Sequence, residues 1–328
     1  MFNKNFVTEK KNTRLSIVIP TYNRADFLDL SLEAHIPLVK KFNIAIYIVD
    51  NASTDNTSEI VSKWMNEYEY LFFSRNKKNI GPDLNFEIAL KSPNTEYIWL
   101  LGDTSQIKKK VLEKVTKLSK EDYDLILLNS ENRVSNIGSK LIKDKKMLLS
   151  SLGWHMTHMS ALIYNKKIIN NANFLRFYDT NFIQTGIIFE NLAYRDGIRV
   201  IWNQDLSIVS LRKDGLRKVS WQKDTFNIWT KRWANFVLSL PPVYPVDLKL
   251  KMIQDHSKKS KVFSCKSLLY LRAQGFYSKD HFFLYRKYFD IALGGDPIFK
   301  FLSIAVLPKS VVKFLIRISK IKFFFIRK

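Results

Sequence analysis

At 328 residues the chain exceeds one average domain and suits a large core with an appendage. Its 46% hydrophobic content, with 24 Phe, excludes general disorder, and a single cysteine, Cys265, excludes an internal disulfide or a cysteine-built metal site and suits a reducing compartment. A formal net charge of +23 draws anions to the surface, which leaves nucleic acid, an anionic membrane or a phosphorylated small molecule as partner classes.

The polar start, MFNKNFVTEKKNTR, does not read as a signal peptide, and no run reaches 18 apolar residues. The expectation is a protein that is neither exported nor membrane-spanning. LSIVIP, residues 15–20, reads as a buried strand closed by a turn at Pro20, Tyr22 and Asn23. RADFLDLSLEAHIPLV then places Phe27, Leu28, Leu32 and Ile36 at helical spacing. IAIYIVD is a second strand, and TDNTSEIVSKWMNEY a helix capped by Ser53, Thr54 or Asp55. YLFFS, GPDLNFEIALKS and EYIWLLGD continue the alternation as strand, helix and strand.

Strands alternating with helices imply right-handed crossovers and a parallel sheet, in which ligands bind beyond the C-terminal strand ends. Tyr22, Asn23, Asp50 and Asp103 stand just past such ends and should meet in one crevice. Further on, a basic helix is expected at 106–120 and strands at 124–130, 160–167 and 197–202. Residues 131–150 are polar and lysine-rich, and 181–195 suit a helix. The pattern then divides into an α/β domain over 1–220 and a helical, basic region over 221–328, with PPVYP at 241–245 as the clearest boundary.

A carboxylate at a strand end accepts from a ribose or base, holds a cation against phosphates, or caps the next helix. Asp55 is better placed to cap and Asp50 to face a ligand. The first turn, IPTYNRAD, has no glycine, which argues against a dinucleotide cofactor.

Four segments in order, LSIVIPTYNRADFLDLSLEA, IYIVDNASTDNTSEIV, RNKKNIGPDLNFEIAL and YIWLLGD, resemble the N-terminal half of a family 2 glycosyltransferase of the GT-A fold. The resemblance is close over residues 14–105 and weaker to about 205. It implies a Rossmann-like, mostly parallel sheet flanked by helices and an inverting enzyme of surface-polysaccharide or lipopolysaccharide synthesis. The donor implied is a nucleoside diphosphate sugar, UDP-linked favoured, and the acceptor a glycan or lipid-linked glycan. Pro20, Tyr22 and Asn23 would line the nucleotide pocket, Asp50 would contact the base, and Asn79 and Gly81 would lie beside the donor. Asp103 would open the acidic motif that holds Mn²⁺ or Mg²⁺.

The chain departs from that pattern. Thr104 and Ser105 follow Asp103 where the family has further acidic residues, so a weakly held ion or a metal-light mechanism is expected. Counting back from Gly197 to the family's Glu-Asp pair lands on Ile183, Gln184 and Thr185, none of them a base. Asp179 is the candidate base, with Glu190 and the pair His155 and His158 as alternatives that also suit structural roles. Arg212, Lys213, Arg217 and Lys218 either close over the donor, Arg212 binding it, or form a solvated loop.

From Pro297 to Lys328 there are eight Lys or Arg and no acidic residue. A helix would gather Lys313, Arg317 and Lys320 on one face, as in a helix lying on an anionic membrane; a buried docking helix or a homo-oligomer contact is the alternative. Nucleic acid is disfavoured, because no zinc-finger, RRM or helix-turn-helix signature occurs. The location expected is cytoplasmic, peripheral at the inner face of the membrane. Two rival functions are a nucleotide-sugar-binding scaffold without catalysis and a nucleotidyltransferase.

Overall fold

The computed structural model describes residues 12–211, 220–295 and 297–318. Arg212, Lys213, Arg217, Lys218 and Lys320 lie outside the described residues. The rest falls into two compact units, one holding the residues up to 148 and from 155 to 211, the other 149–154 and those from 220 onward.

The first unit begins with β1 (Leu15–Thr21), α1 (Ala25–Val39), β2 (Ala45–Asp50), α2 (Thr57–Glu67), β3 (Leu71–Arg75), α3 (Pro82–Lys91) and β4 (Tyr97–Leu100). The strands β1, β2 and β4 are mainly apolar and buried along their whole length, as expected for a sheet covered on both faces. There follow β5 (Ser105–Gln106), α4 (Lys109–Leu118), β6 (Leu125–Ser130), β7 (Lys140–Ile142) and α5 (Lys145–Leu152). The last elements are β8 (Leu162–Asn165), α6 (Lys166–Asn170), α7 (Ile183–Ala193) and β9 (Val200–Ser210).

The sheet order is β3-β2-β1-β4-β8-β6-β9-β5, with β7 also on β9. The first four strands are parallel, as the alternation requires. Beyond them the expectation of a mostly parallel sheet needs refining. β8 enters antiparallel between β4 and β6, β5 and β7 pair antiparallel with β9, and only β6 and β9 are parallel there. The strand expected at 197–202 continues to Ser210, and the polar segment 131–150 contributes β7 and the start of α5.

His155 belongs to this core. Its Nε2–H donates to Leu128 O at 2.8 Å, and Nδ1 accepts from Arg133 Nε at 2.8 Å. Burial and the neighbouring guanidinium hold its pKa well below the ordinary histidine value, so the ring is neutral. With both nitrogens used, His155 fills a structural role.

The second unit is helical: α8 (Trp233–Ser239), α9 (Val246–Ser260), α10 (Cys265–Gln274), α11 (Lys279–Tyr285), α12 (Phe289–Leu293), α13 (Ile298–Val306) and α14 (Lys309–Ile318). Ser264 and Ser278 cap α10 and α11 by accepting from the backbone N–H three residues on. Phe226, Phe263, Tyr277, Phe282, Phe289 and Phe301 form an aromatic core. PPVYP lies inside this unit, between α8 and α9, with Tyr244 buried. No helix among the described residues is long and apolar enough to cross a membrane.

Candidate active site

β1 and β2 run side by side in parallel register, Thr21 opposite Asp50, so their C-terminal turns meet. Asn23 turns the chain with φ +50°, a conformation asparagine tolerates better than most residues. Its N–H donates to Ser53 Oγ at 2.8 Å, and its Oδ1 accepts from Thr54 N at 2.7 Å. Ser53 in turn donates to Asp50 Oδ1 from its N–H, at 3.0 Å, and from its hydroxyl, at 2.5 Å. Arg75, at the end of β3, lies 3.5 Å from Asp50 Oδ2 through Nε.

Asp55 anchors two helices at once. One carboxylate oxygen accepts from Ala25 N, the first residue of α1, at 3.0 Å, and the other from Thr57 N, the first residue of α2, at 3.2 Å. Desolvation pulls its pKa up, but the hydrogen bonds from Thr57 and Ala25 outweigh it and keep the group below the usual carboxylate value. Asp55 is therefore a cap, the role for which its position was better suited.

Asp50 is fully buried, with Ser53 and Arg75 against its carboxylate. Removing its carboxylate strands the N–H and hydroxyl of buried Ser53. Asp50→Ala is expected to lower unfolding free energy by about 2 kcal/mol in urea titrations, with a smaller loss for Asp50→Asn, which keeps an acceptor.

An asparagine network that sequence reading missed holds the next segment. Asn51 Nδ2 donates to Asn79 Oδ1 at 3.0 Å and to Gly81 O at 3.1 Å, while Asn51 Oδ1 accepts from Ile80 N and Asn76 Nδ2. Asn76 also reaches Asn85 on α3, which donates back to Val49 O. Gly81, with φ +84°, starts α3 from a conformation that glycine adopts without strain. Asn79 and Gly81 are thus tied to the end of β2. No sequence periodicity marks these asparagines; only the fold brings them together.

Asp103 lies past β4. Its Oδ2 accepts from Thr21 Oγ1 at 3.3 Å and stands 3.8 Å from Arg24 Nε. Burial pushes its pKa up to about 6, against downward pulls from Arg24 and Thr21. Ser105, at the third position of the depleted acidic motif, is buried with its hydroxyl 2.7 Å from that of Ser160, which also accepts from Gly102 N. A divalent cation prefers several oxygen ligands including carboxylates. Here it meets one carboxylate, already paired with a guanidinium, and no three His, Cys, Asp or Glu among the described residues gather to hold a metal. The residues present do not fit a protein-held divalent ion.

Asp179 is exposed, with φ +61° and no hydrogen bond or ion pair among the described residues. Its loop packs on α3: Asn181 N donates to Asp83 Oδ2 at 3.2 Å, and the Tyr178 hydroxyl donates to Glu87. Glu190 pairs through Oε1 with Arg176 at 2.5 Å, which fits the structural role its position also suits. Ile183, Gln184 and Thr185 are all buried in the first turn of α7. Tyr22 is 42% exposed and presents an open ring beside the turn.

The family model of glycosyl transferase family 2 matches residues 16–181. Abequosyltransferase RfbV of Salmonella typhimurium is 41% identical over 98 residues, 29% of this chain and 29% of that protein. The chain spans from 20% to 41% of the length of the curated relatives compared. Among solved structures, Staphylococcus aureus TarS 1–349 in complex with UDP-GlcNAc superposes with a TM-score of 0.55 at 17% identity, covering 89% of this chain and 90% of that one. A mannosyltransferase from Pyrobaculum calidifontis in complex with GDP-Man and Mn²⁺ gives 0.56 at 15% identity, covering 94% and 88%. At such identities the likeness is one of fold, the GT-A fold of glycosyltransferases. With the family model matching half of its length on the strand ends just described, the chain belongs to glycosyl transferase family 2.

Proposed function

We propose that this chain transfers a sugar, with inversion, from a nucleoside diphosphate sugar to a hydroxyl of a glycan or lipid-linked glycan in surface-polysaccharide synthesis. UDP is the favoured nucleotide. The observation that carries the reading is the hydrogen bonding at the β1, β2 and β4 ends, which links Asn23 to Asp50 through Ser53, Asn79 and Gly81 to the end of β2 through Asn51, and Asp103 to the end of β1 through Thr21. Tyr22 offers a ring for a base to stack on, and Pro20 fixes the strand end before it. Donors of the same class, UDP-GlcNAc and GDP-Man, are bound by the two solved structures of like fold.

In this reading Asp179 takes the acceptor's proton as the acceptor oxygen bonds to the anomeric carbon, and the electron pair of the breaking C–O bond leaves on the diphosphate. Its unpaired carboxylate supports that role. Calorimetric titration with UDP, GDP, CDP, dTDP and their sugars tests the donor site: one nucleotide should bind, and no binding by folded protein overturns the reading. A scaffold without catalysis is favoured by one observation, the lack of any base at Ile183–Thr185. Release of nucleoside diphosphate from the bound donor, with acceptor or water, rejects it; release of pyrophosphate from a nucleoside triphosphate would point to nucleotidyl transfer instead.

The helical region from 221 onward we assign to an anionic membrane surface, through residues 297–328. Phe299 and Val306 on α13 and Val311, Phe314 and Leu315 on α14 are exposed, while Lys313 and Arg317 stand exposed along one side of α14. Such apolar surface flanked by cations matches a bilayer interface with acidic headgroups. Phe299→Glu with Phe314→Glu should cut co-sedimentation with phosphatidylserine vesicles at least about tenfold, since each change swaps buried apolar area for a repelled charge. Unchanged sedimentation, or a loss of dimers in gel filtration instead, would make this face a protein contact.

A further inference from the structure

We propose that the guanidinium of Arg24 is the diphosphate-binding cation of this site and stands in for a divalent metal. The proposal rests on the donor-site reading above and goes beyond it, since it assigns the charge that holds the phosphates.

Five observations carry it. Arg24 is the residue just past the β1 turn, and its backbone, at φ −140° and ψ 36°, is not yet helical. Its side chain lies against Asp103, with Nε 3.8 Å from Oδ2. The Phe27 ring lies 5.5 Å from the guanidinium carbon and steadies it. Both partners are largely sheltered, the Arg24 side chain 16% and the Asp103 side chain 13% exposed, so their charges are only partly screened by water.

The donor count is the decisive point. Nε faces Asp103, and the two terminal nitrogens of Arg24 make no hydrogen bond among the described residues. A planar guanidinium with unused N–H groups matches two oxygens of a phosphate. The last observation is the depleted acidic motif, in which Asp103 stands as a single carboxylate already paired with Arg24, Ser105 being turned to Ser160. A cation placed against Asp103 would also be repelled by Arg24 at close range. Asp103 therefore acts as a positioning residue that aims the guanidinium.

During transfer, the bond from the anomeric carbon to the terminal phosphate oxygen breaks and its electron pair stays on that oxygen. The bond from the acceptor oxygen to the same carbon forms, and the acceptor's proton passes to the base. The charge that develops on the diphosphate then meets the N–H groups of Arg24, which are oriented before reaction begins.

The test is calorimetric titration of the full chain with UDP, GDP, CDP and dTDP, and with the matching monophosphates, in EDTA and again in Mn²⁺. The expected result is that one diphosphate binds in EDTA with an affinity within about threefold of that in Mn²⁺. Arg24→Gln should weaken that diphosphate at least about tenfold and its monophosphate less than about threefold, because the terminal phosphate loses its charged partner. Arg24→Lys, which keeps the charge and loses the fork, should fall between. Tightening of more than about tenfold by Mn²⁺ in the wild-type protein would overturn the proposal while leaving the donor site standing. So would an Arg24→Gln protein that binds the diphosphate like wild type. Absence of diphosphate binding in both media would defeat the donor-site reading itself. Should both variants fail to fold by circular dichroism, the EDTA and Mn²⁺ comparison on wild type decides alone.

Discussion

Asp179→Asn is expected to lower the rate of sugar transfer by about 10²- to 10⁴-fold while leaving donor affinity within about twofold, the span general-base catalysis contributes. The acceptor hydroxyl must lose its proton as it attacks, and an amide cannot take it. Asp179 sits on an exposed turn, its carboxylate makes no hydrogen bond or ion pair among the described residues, and its neighbour Asn181 ties the turn to Asp83 on α3. The substitution removes no contact on which the fold depends, so a loss of activity reports chemistry. Single-turnover transfer and calorimetric donor binding, measured on the same preparation, separate the two effects. Equal rates in mutant and wild type would remove Asp179 from the reaction and assign the proton transfer to another group.

The first half of the sheet was legible because each of its strands is an apolar run ended by proline, asparagine or aspartate. β1 and β2 carry their own boundaries. β5 and β7 were not legible, since runs of two and three residues are too short to carry a pattern and become strands by pairing with β9. Nor does any local pattern announce that β8 enters antiparallel. At the site, Asn23, Asp50 and Asp103 were visible as polar residues at strand ends. Arg24 carries no such signal: it stands at the head of a segment with helical spacing, and only the fold brings it against Asp103. The family's usual base position fell on buried residues of α7, and Asp179, four residues before that helix, had to be chosen on position alone.

Acidification should act on stability through two opposed groups, His35 and Asp103. His35 is buried on α1, where Nε2 accepts from Ile107 N at 2.9 Å and Nδ1 lies 3.2 Å from Ser31 Oγ, so the neutral ring fits with its proton on Nδ1. Burial lowers its pKa to about 4, against a smaller upward pull from Ser31. The unfolded chain thus binds this proton first. The stability due to His35 is complete above pH 6.5 and is lost as pH falls through 4, amounting to about 3 kcal/mol. Asp103 works the other way. With its pKa raised from 3.8 to about 6, the folded chain binds the proton first, and the stability gained below pH 3.8 is lost as pH rises through 6, again about 3 kcal/mol. Between pH 6.5 and 4 the two terms nearly cancel, so the wild-type profile masks both. Urea unfolding of His35→Gln across that range should show stability rising on acidification relative to wild type, and Asp103→Asn should show it falling. If the two variants track wild type at every pH, neither group carries the shift that its burial implies.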